Sequence, residues 1–143
     1  MLTDQTLMDI ACLQRRIYAS LTEISELTDQ LSQALSRQDQ VSVRLFLSMR
    51  REELDHLLAH RAALNLQCAQ LPGDDSAALQ QLLSGNDGSV PDSPGKAALL
   101  RQVKMNRSLL ERICQADQAV SLRLGGRRSF YSKNAENAKQ RRT

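Results

Sequence analysis

Residues 10–35, IACLQRRIYASLTEISELTDQLSQAL, contain no Gly or Pro and place Ile10, Leu13, Ile17, Leu21, Ile24, Leu27, Leu31 and Leu35 at steps of three and four. That spacing collects them on one face of an α-helix. In heptad terms Ile10, Ile17, Ile24 and Leu31 share one position, and Leu13, Ser20, Leu27 and Ala34 share the other, a coiled-coil-like seam. An isolated helix cannot keep such a stripe in water, because each buried aliphatic side chain contributes about 1.5–3 kcal/mol that the lone helix forfeits. The stretch therefore demands helical neighbours. The expected fold class is all-α: an antiparallel coiled-coil-like bundle of three long helices plus one short helix.

Working outward, the first helix is expected from Thr3 to Ser36, with the Thr3 hydroxyl as its N-cap. A second helix, starting near Gln38 to Gln40 and ending near Gln70, carries Val43, Leu47, Leu54, Leu57, Leu64 and Cys68 on its seam and stops at Leu71-Pro72-Gly73. Arg50 and Arg61 interrupt that seam, so they either snorkel to its edge or face an acidic partner. Ser36-Arg37-Gln38-Asp39-Gln40 has no Gly or Pro, which leaves open whether the chain turns there or continues as one bent helix. A short helix from Asp74 to Ser84, capped by Asp74 or Asp75, ends at Gly85. Residues 85–95 are rich in turn formers and read as a linker. The third long helix is expected from Lys96 to Leu124, with Leu99, Val103, Leu110, Ile113, Val120 and Leu124 on a seam that Asn106 and Asp117 break, and with Gly125-Gly126 as its end. This divides the chain into one bundle domain, residues 1–124, and a basic, flexible, disordered tail, residues 125–143.

A chain of 143 residues suits one domain, and 3% aromatic content with no Trp favours Leu-seamed helices over sheets. The tail sets Arg127, Arg128, Lys133, Lys139, Arg141 and Arg142 against Glu136 alone, a local charge of +5 that leaves −2 on residues 1–124 of the total +3. Cys12, Cys68 and Cys114 are odd in number and far apart, which fits neither a disulfide framework nor a zinc site. The first thirty residues have no signal-peptide core, and no apolar run approaches bilayer length, so a cytoplasmic protein without membrane insertion is expected. His56 and His60 lie four apart on the second helix but lack the Glu of a metalloprotease motif and a third ligand. Phosphate loops, nucleophile elbows and paired carboxylates in a recognisable context are missing. The expectation is a protein that is not an enzyme, with no catalytic residues, no metal, no cofactor and no small-molecule substrate.

What remains is binding. Asn106 and Asp117 on the third helix would each need hydrogen-bond partners in a closed core; either a groove open to solvent or to a guest helix tolerates them, or the two positions rotate out of the core. Phe130 and Tyr131 sit between Arg128 and Lys133, a mixture that can stack on single-stranded nucleic acid, fold back on the bundle or join a partner. Arg37-Gln38-Asp39-Gln40-Val41-Ser42-Val43 through Met49-Arg50-Arg51-Glu52-Glu53-Leu54, together with Asn106-Arg107-Ser108-Leu109-Leu110 leading to Leu124-Gly125-Gly126 and Phe130-Tyr131, resemble the FlgN-like flagellar export chaperones. The likeness spans most of the chain in helix order and length. It departs from the family in the strongly basic end, Lys139 to Thr143.

The resemblance implies a cytosolic chaperone that binds the C-terminal segments of hook-associated (hook-filament junction) proteins, prevents their premature assembly and escorts them to the flagellar type III export apparatus. It implies that Asn106, Leu109, Leu110, Ile113 and Val120 belong to the helix receiving the partner, with Phe130 and Tyr131 in the tail beyond. Helix-in-groove capture is the expected mode. The rival expectation is a self-associating helical scaffold or adaptor. A weaker one is a nucleic-acid-binding accessory that uses the basic tail.

Overall fold

The computed structural model describes residues 2–85, 88 and 90–125. Four helices account for nearly all of them: α1 (Asp4–Ser36), α2 (Gln40–Ala69), α3 (Gly73–Leu83) and α4 (Pro94–Gly125). The described residues contain no strand. The all-α bundle of three long helices and one short helix is the observed architecture, and the tail beyond Gly125 lies outside the described residues.

Helix α1 begins as its sequence requires, with Thr3 Oγ1 accepting the Thr6 amide at 3.1 Å. Its end is a left-handed cap built without glycine. Gln38 takes φ 58°, the Asp39 amide donates to the Ala34 carbonyl at 3.0 Å, and the Gln38 amide donates to the Leu35 carbonyl at 3.1 Å. Asp39 then caps α2, accepting the Ser42 amide at 3.1 Å and the Ser42 hydroxyl at 2.6 Å. Those two bonds, the hydroxyl first, hold the Asp39 carboxyl below its ordinary pKa. One residue in the left-handed region and one capping carboxylate thus make the turn that the sequence left open.

Two of the expected boundaries move. Helix α3 starts at Gly73 with Pro72 at its N-cap and no side-chain cap bond, so Asp74 and Asp75 stand in its first turn, where their charge complements the helix dipole. Helix α4 starts at Pro94 and takes two residues from the expected linker. Proline has no amide to lose at the first helical position, and the Ser93 hydroxyl accepts the Lys96 amide at 3.2 Å as the cap.

Helix α1 is the centre of the bundle. Ile10, Ile24 and Leu31 are almost wholly buried, and the covered arc extends to Ala11, Gln14 and Thr28 on one side and Ser20 and Leu27 on the other. An arc that wide serves two neighbours, and α2 and α4 each pack along α1. Helix α2 runs back down α1 after the turn, as the expected antiparallel bundle requires, whereas α4 packs parallel to α1, because it starts at the end where α2 finishes and α1 begins. Polar ties record the parallel register at a nearly constant sequence offset: Asp4 with Gly95 (91 apart), Gln14 with Asn106 (92 apart) and Ser32 with Arg123 (91 apart). Helix α3 touches both α2 and α4 and buries Leu79 and Leu82 against the core cluster. It covers the end of the bundle where α2 finishes and α4 begins.

The start of α4 is fixed by a close approach. Asp4 Oδ1 accepts the Gly95 amide at 2.7 Å, and a Cβ at position 95 would lie 2.6 Å from the Asp4 carbonyl oxygen. Backbone cannot yield as a side-chain tip can. Gly95→Ala is therefore expected to cost about 1–3 kcal/mol, the usual range for overpacking, read as a lower urea midpoint with an unchanged slope. An unshifted midpoint would mean that the two helix starts are not held this tightly in solution.

Candidate functional site

Helices packed directly against one another have axes about 8–10 Å apart. No Cα of α2 comes within 8 Å of one of α4. The two helices flank α1 and leave a trough between them, floored by Gln14, Ile17 and Leu21, with Leu57, Arg61, Leu64 and Asn65 on the α2 wall and Val103, Asn106, Arg107 and Leu110 on the α4 wall. Leu83 of α3 closes one end. This first hollow has a volume of about 350 Å³. A second, of about 440 Å³, follows along α2 at Leu47, Ser48, Arg50, Arg51 and Leu54. A third, of about 510 Å³, lies at the α1–α2 turn beside Val43, Arg44, Arg123 and Leu124. The three hollows lie beside residues 40 to 65 of α2, about 38 Å of helix.

The trough exists because α2 is incompletely covered. Of its apolar seam only Leu64 and Cys68 are buried, both near its C-terminal end, and Val43 and Leu57 are half-buried. Leu47 and Leu54 keep 37% and 41% of their surface, and Leu58 beyond them keeps 62%. Burial pushes the Cys68 thiol up. Cys12 and Cys114 are exposed, and all three cysteines are free.

One strut crosses the trough. Arg50 Nη2 donates to Asp117 Oδ1 at 2.6 Å, joining α2 to α4, so Arg50 faces an acidic partner within its own chain. Among the described residues, Arg50 Nε is buried without a hydrogen-bond partner. Beside the first hollow, Asn106 is buried in a closed polar rung: its Nδ2 donates to Gln14 Oε1 at 2.6 Å and to the Gln14 carbonyl at 2.9 Å, and its Oδ1 accepts from Gln102 Nε2 at 2.9 Å. Arg123 ties the other end of α4 to α1, donating to the Ser32 and Ser36 hydroxyls.

The residues expected to receive a partner separate into distinct settings. Asn106, Leu109, Ile113 and Val120 face α1 and are buried, whereas Leu110 is 45% exposed on the trough wall. Phe130 and Tyr131 lie outside the described residues. The expected α4 seam shifts accordingly: Leu124, like Leu110, is partly exposed, and Gln102, Asn106 and Leu109 take core positions instead. Sequence reasoning passed over the lip residues Arg44, Arg51 and Arg107. The absence of any neighbouring carboxylate in the hollows was the signal that could have found the arginines, and it needs the fold to be seen.

His56 Nδ1 lies 3.3 Å from Glu53 Oε2, and the described residues bring no three metal-ligating side chains together. Among the described residues, no helix is long and apolar enough to cross a membrane. Compared with models of protein families, with curated proteins and with solved structures, the chain matches none.

Proposed function

We propose that this chain is a binding protein that holds an amphipathic segment of another protein in the trough between α2 and α4. In keeping with the resemblance to FlgN-like proteins, its partners are the C-terminal segments of hook-associated proteins, shielded from premature assembly before export through the flagellar type III apparatus in the cytoplasm. The observation that carries this reading is the gap itself: two long helices on a shared floor, with Leu57 and Leu110 lining a hollow that neither helix fills. An apolar guest stripe laid there would bury what α1 alone cannot. Leu47, Leu54 and Leu110 each have roughly 1 kcal/mol of burial still to gain, so single truncations should weaken binding by up to about tenfold.

Titration of purified hook-associated C-terminal segments against the full chain tests the proposal. A one-to-one complex is expected, reduced at least about a hundredfold by Leu47→Asp with Leu54→Asp, while circular dichroism stays unchanged. Absence of a complex with every such segment would remove the chaperone assignment. A complex indifferent to the double substitution would move the site elsewhere. Val41, Leu45 and Leu66 are exposed on α2 yet line none of the hollows, and this favours self-association as a second reading. Sedimentation across a dilution series separates the two.

A further inference from the structure

The hollow between α2 and α4 and the two others beside α2 are bordered by Arg44, Arg50, Arg51, Arg61, Arg107 and Arg123; no carboxylate lines any of the three, and Asp117 reaches Arg50 at the edge of one. The concentration runs against the rest of the molecule, since residues 1–124 carry a net −2 and α2 itself contains Glu52, Glu53 and Asp55. Glu52, Glu53 and Asp55 line none of the three hollows, and Asp55 stands one turn beyond Arg51 on α2. Arg50 is engaged by Asp117, and Arg123 by Ser32 and Ser36. Arg44, Arg51, Arg61 and Arg107 are exposed and make no salt bridge among the described residues.

Resting on the trough as the binding site, we infer that its occupant is an amphipathic helix whose apolar stripe is flanked by Asp and Glu. Arg44, Arg51, Arg61 and Arg107 form the lip that selects it. Like charges along an apolar groove repel one another, and a guest carrying carboxylates at the edges of its stripe offsets that repulsion with charge-assisted hydrogen bonds. Arginine suits the position because its fork takes a carboxylate with two parallel bonds while its stem lies along leucine. The same charge argues against the chain's own end as occupant: residues 125–143 carry +5 and would meet a cationic lip.

The test uses the full chain and three synthetic helical peptides with one shared leucine stripe and Glu, Gln or Lys at the flanking positions, followed by fluorescence anisotropy. The Glu peptide is expected to bind about tenfold or more tighter than the Gln peptide and the Lys peptide weaker than both, the spread shrinking between about 0.05 and about 0.3 M salt as screening shortens the interaction. Arg61→Glu with Arg107→Glu should reverse the order in favour of the Lys peptide. Equal binding of all three peptides, abolished by Leu54→Asp, would overturn the charge inference and leave the trough as the site. Binding of none would overturn both. A chain that is dimeric at every dilution and takes up no peptide would assign the trough to a second copy and overturn the inference as well.

Discussion

Ile113→Asp is expected to unfold most of the bundle, whereas Leu110→Asp, on the next turn of the same helix, leaves it folded. Ile113 is 7% exposed, faces α1 and belongs to the core cluster. Removing its side chain costs about 2–5 kcal/mol, and a carboxyl group left there without a partner adds about 1–3 kcal/mol. Their sum, on the order of 5 kcal/mol, is comparable with the whole stability of a small domain. Leu110 is 45% exposed on the trough wall, where a carboxylate meets water, so the change should stay within about 1 kcal/mol. Far-UV circular dichroism and urea midpoints of the two variants check this directly. Equal loss of helicity in both would mean that the trough is sealed in solution, and the binding proposal would lose its site.

The helices themselves were legible because punctuation in this chain is sparse and well placed. Pro72-Gly73 and Gly85 stop α2 and α3, and the uninterrupted run from Thr3 to Ser36 leaves α1 no alternative. The turn at Gln38 was not legible, since its left-handed φ is adopted by a residue that carries no signal for it. On α4 the expected seam holds at Leu99, Val103, Ile113 and Val120 and fails at Leu124 and at Leu110, whose neighbour Leu109, of identical character, takes the core position. What decides between them is Asn106, a polar residue that enters the core because Gln14 and Gln102 satisfy it. A hydrophobic period has no place for such a residue. On α2 the expected seam is buried only at Leu64 and Cys68, since spacing states only what a face can bury. That Leu47 and Leu54 stay partly uncovered depends on α4 standing away from α2, a fact of packing. The Arg50–Asp117 strut joins residues 67 apart and likewise leaves no local trace.

Asn106→Ala should cost more than its small change in volume suggests. It strands the Gln102 amide and the Gln14 side-chain oxygen in a site where all three residues are at most 9% exposed. Each stranded group carries a desolvation penalty of about 1–3 kcal/mol, so a loss of roughly 2–4 kcal/mol is expected in denaturant unfolding. Replacing the whole rung, with Gln14→Leu, Asn106→Leu and Gln102→Leu together, should recover that loss or exceed it, because no buried polar group then lacks a partner. The rung's contribution is then to alignment: it fixes α4 on α1 at one register, with Asp4–Gly95 and Ser32–Arg123 holding the same offset to either side. The triple variant is accordingly expected to be at least as stable but less uniquely packed, with broadened amide resonances along α4. The argument fails if Asn106→Ala is as mild as a surface substitution. In that event water already reaches the rung, and the boundary between core and trough lies deeper than Asn106.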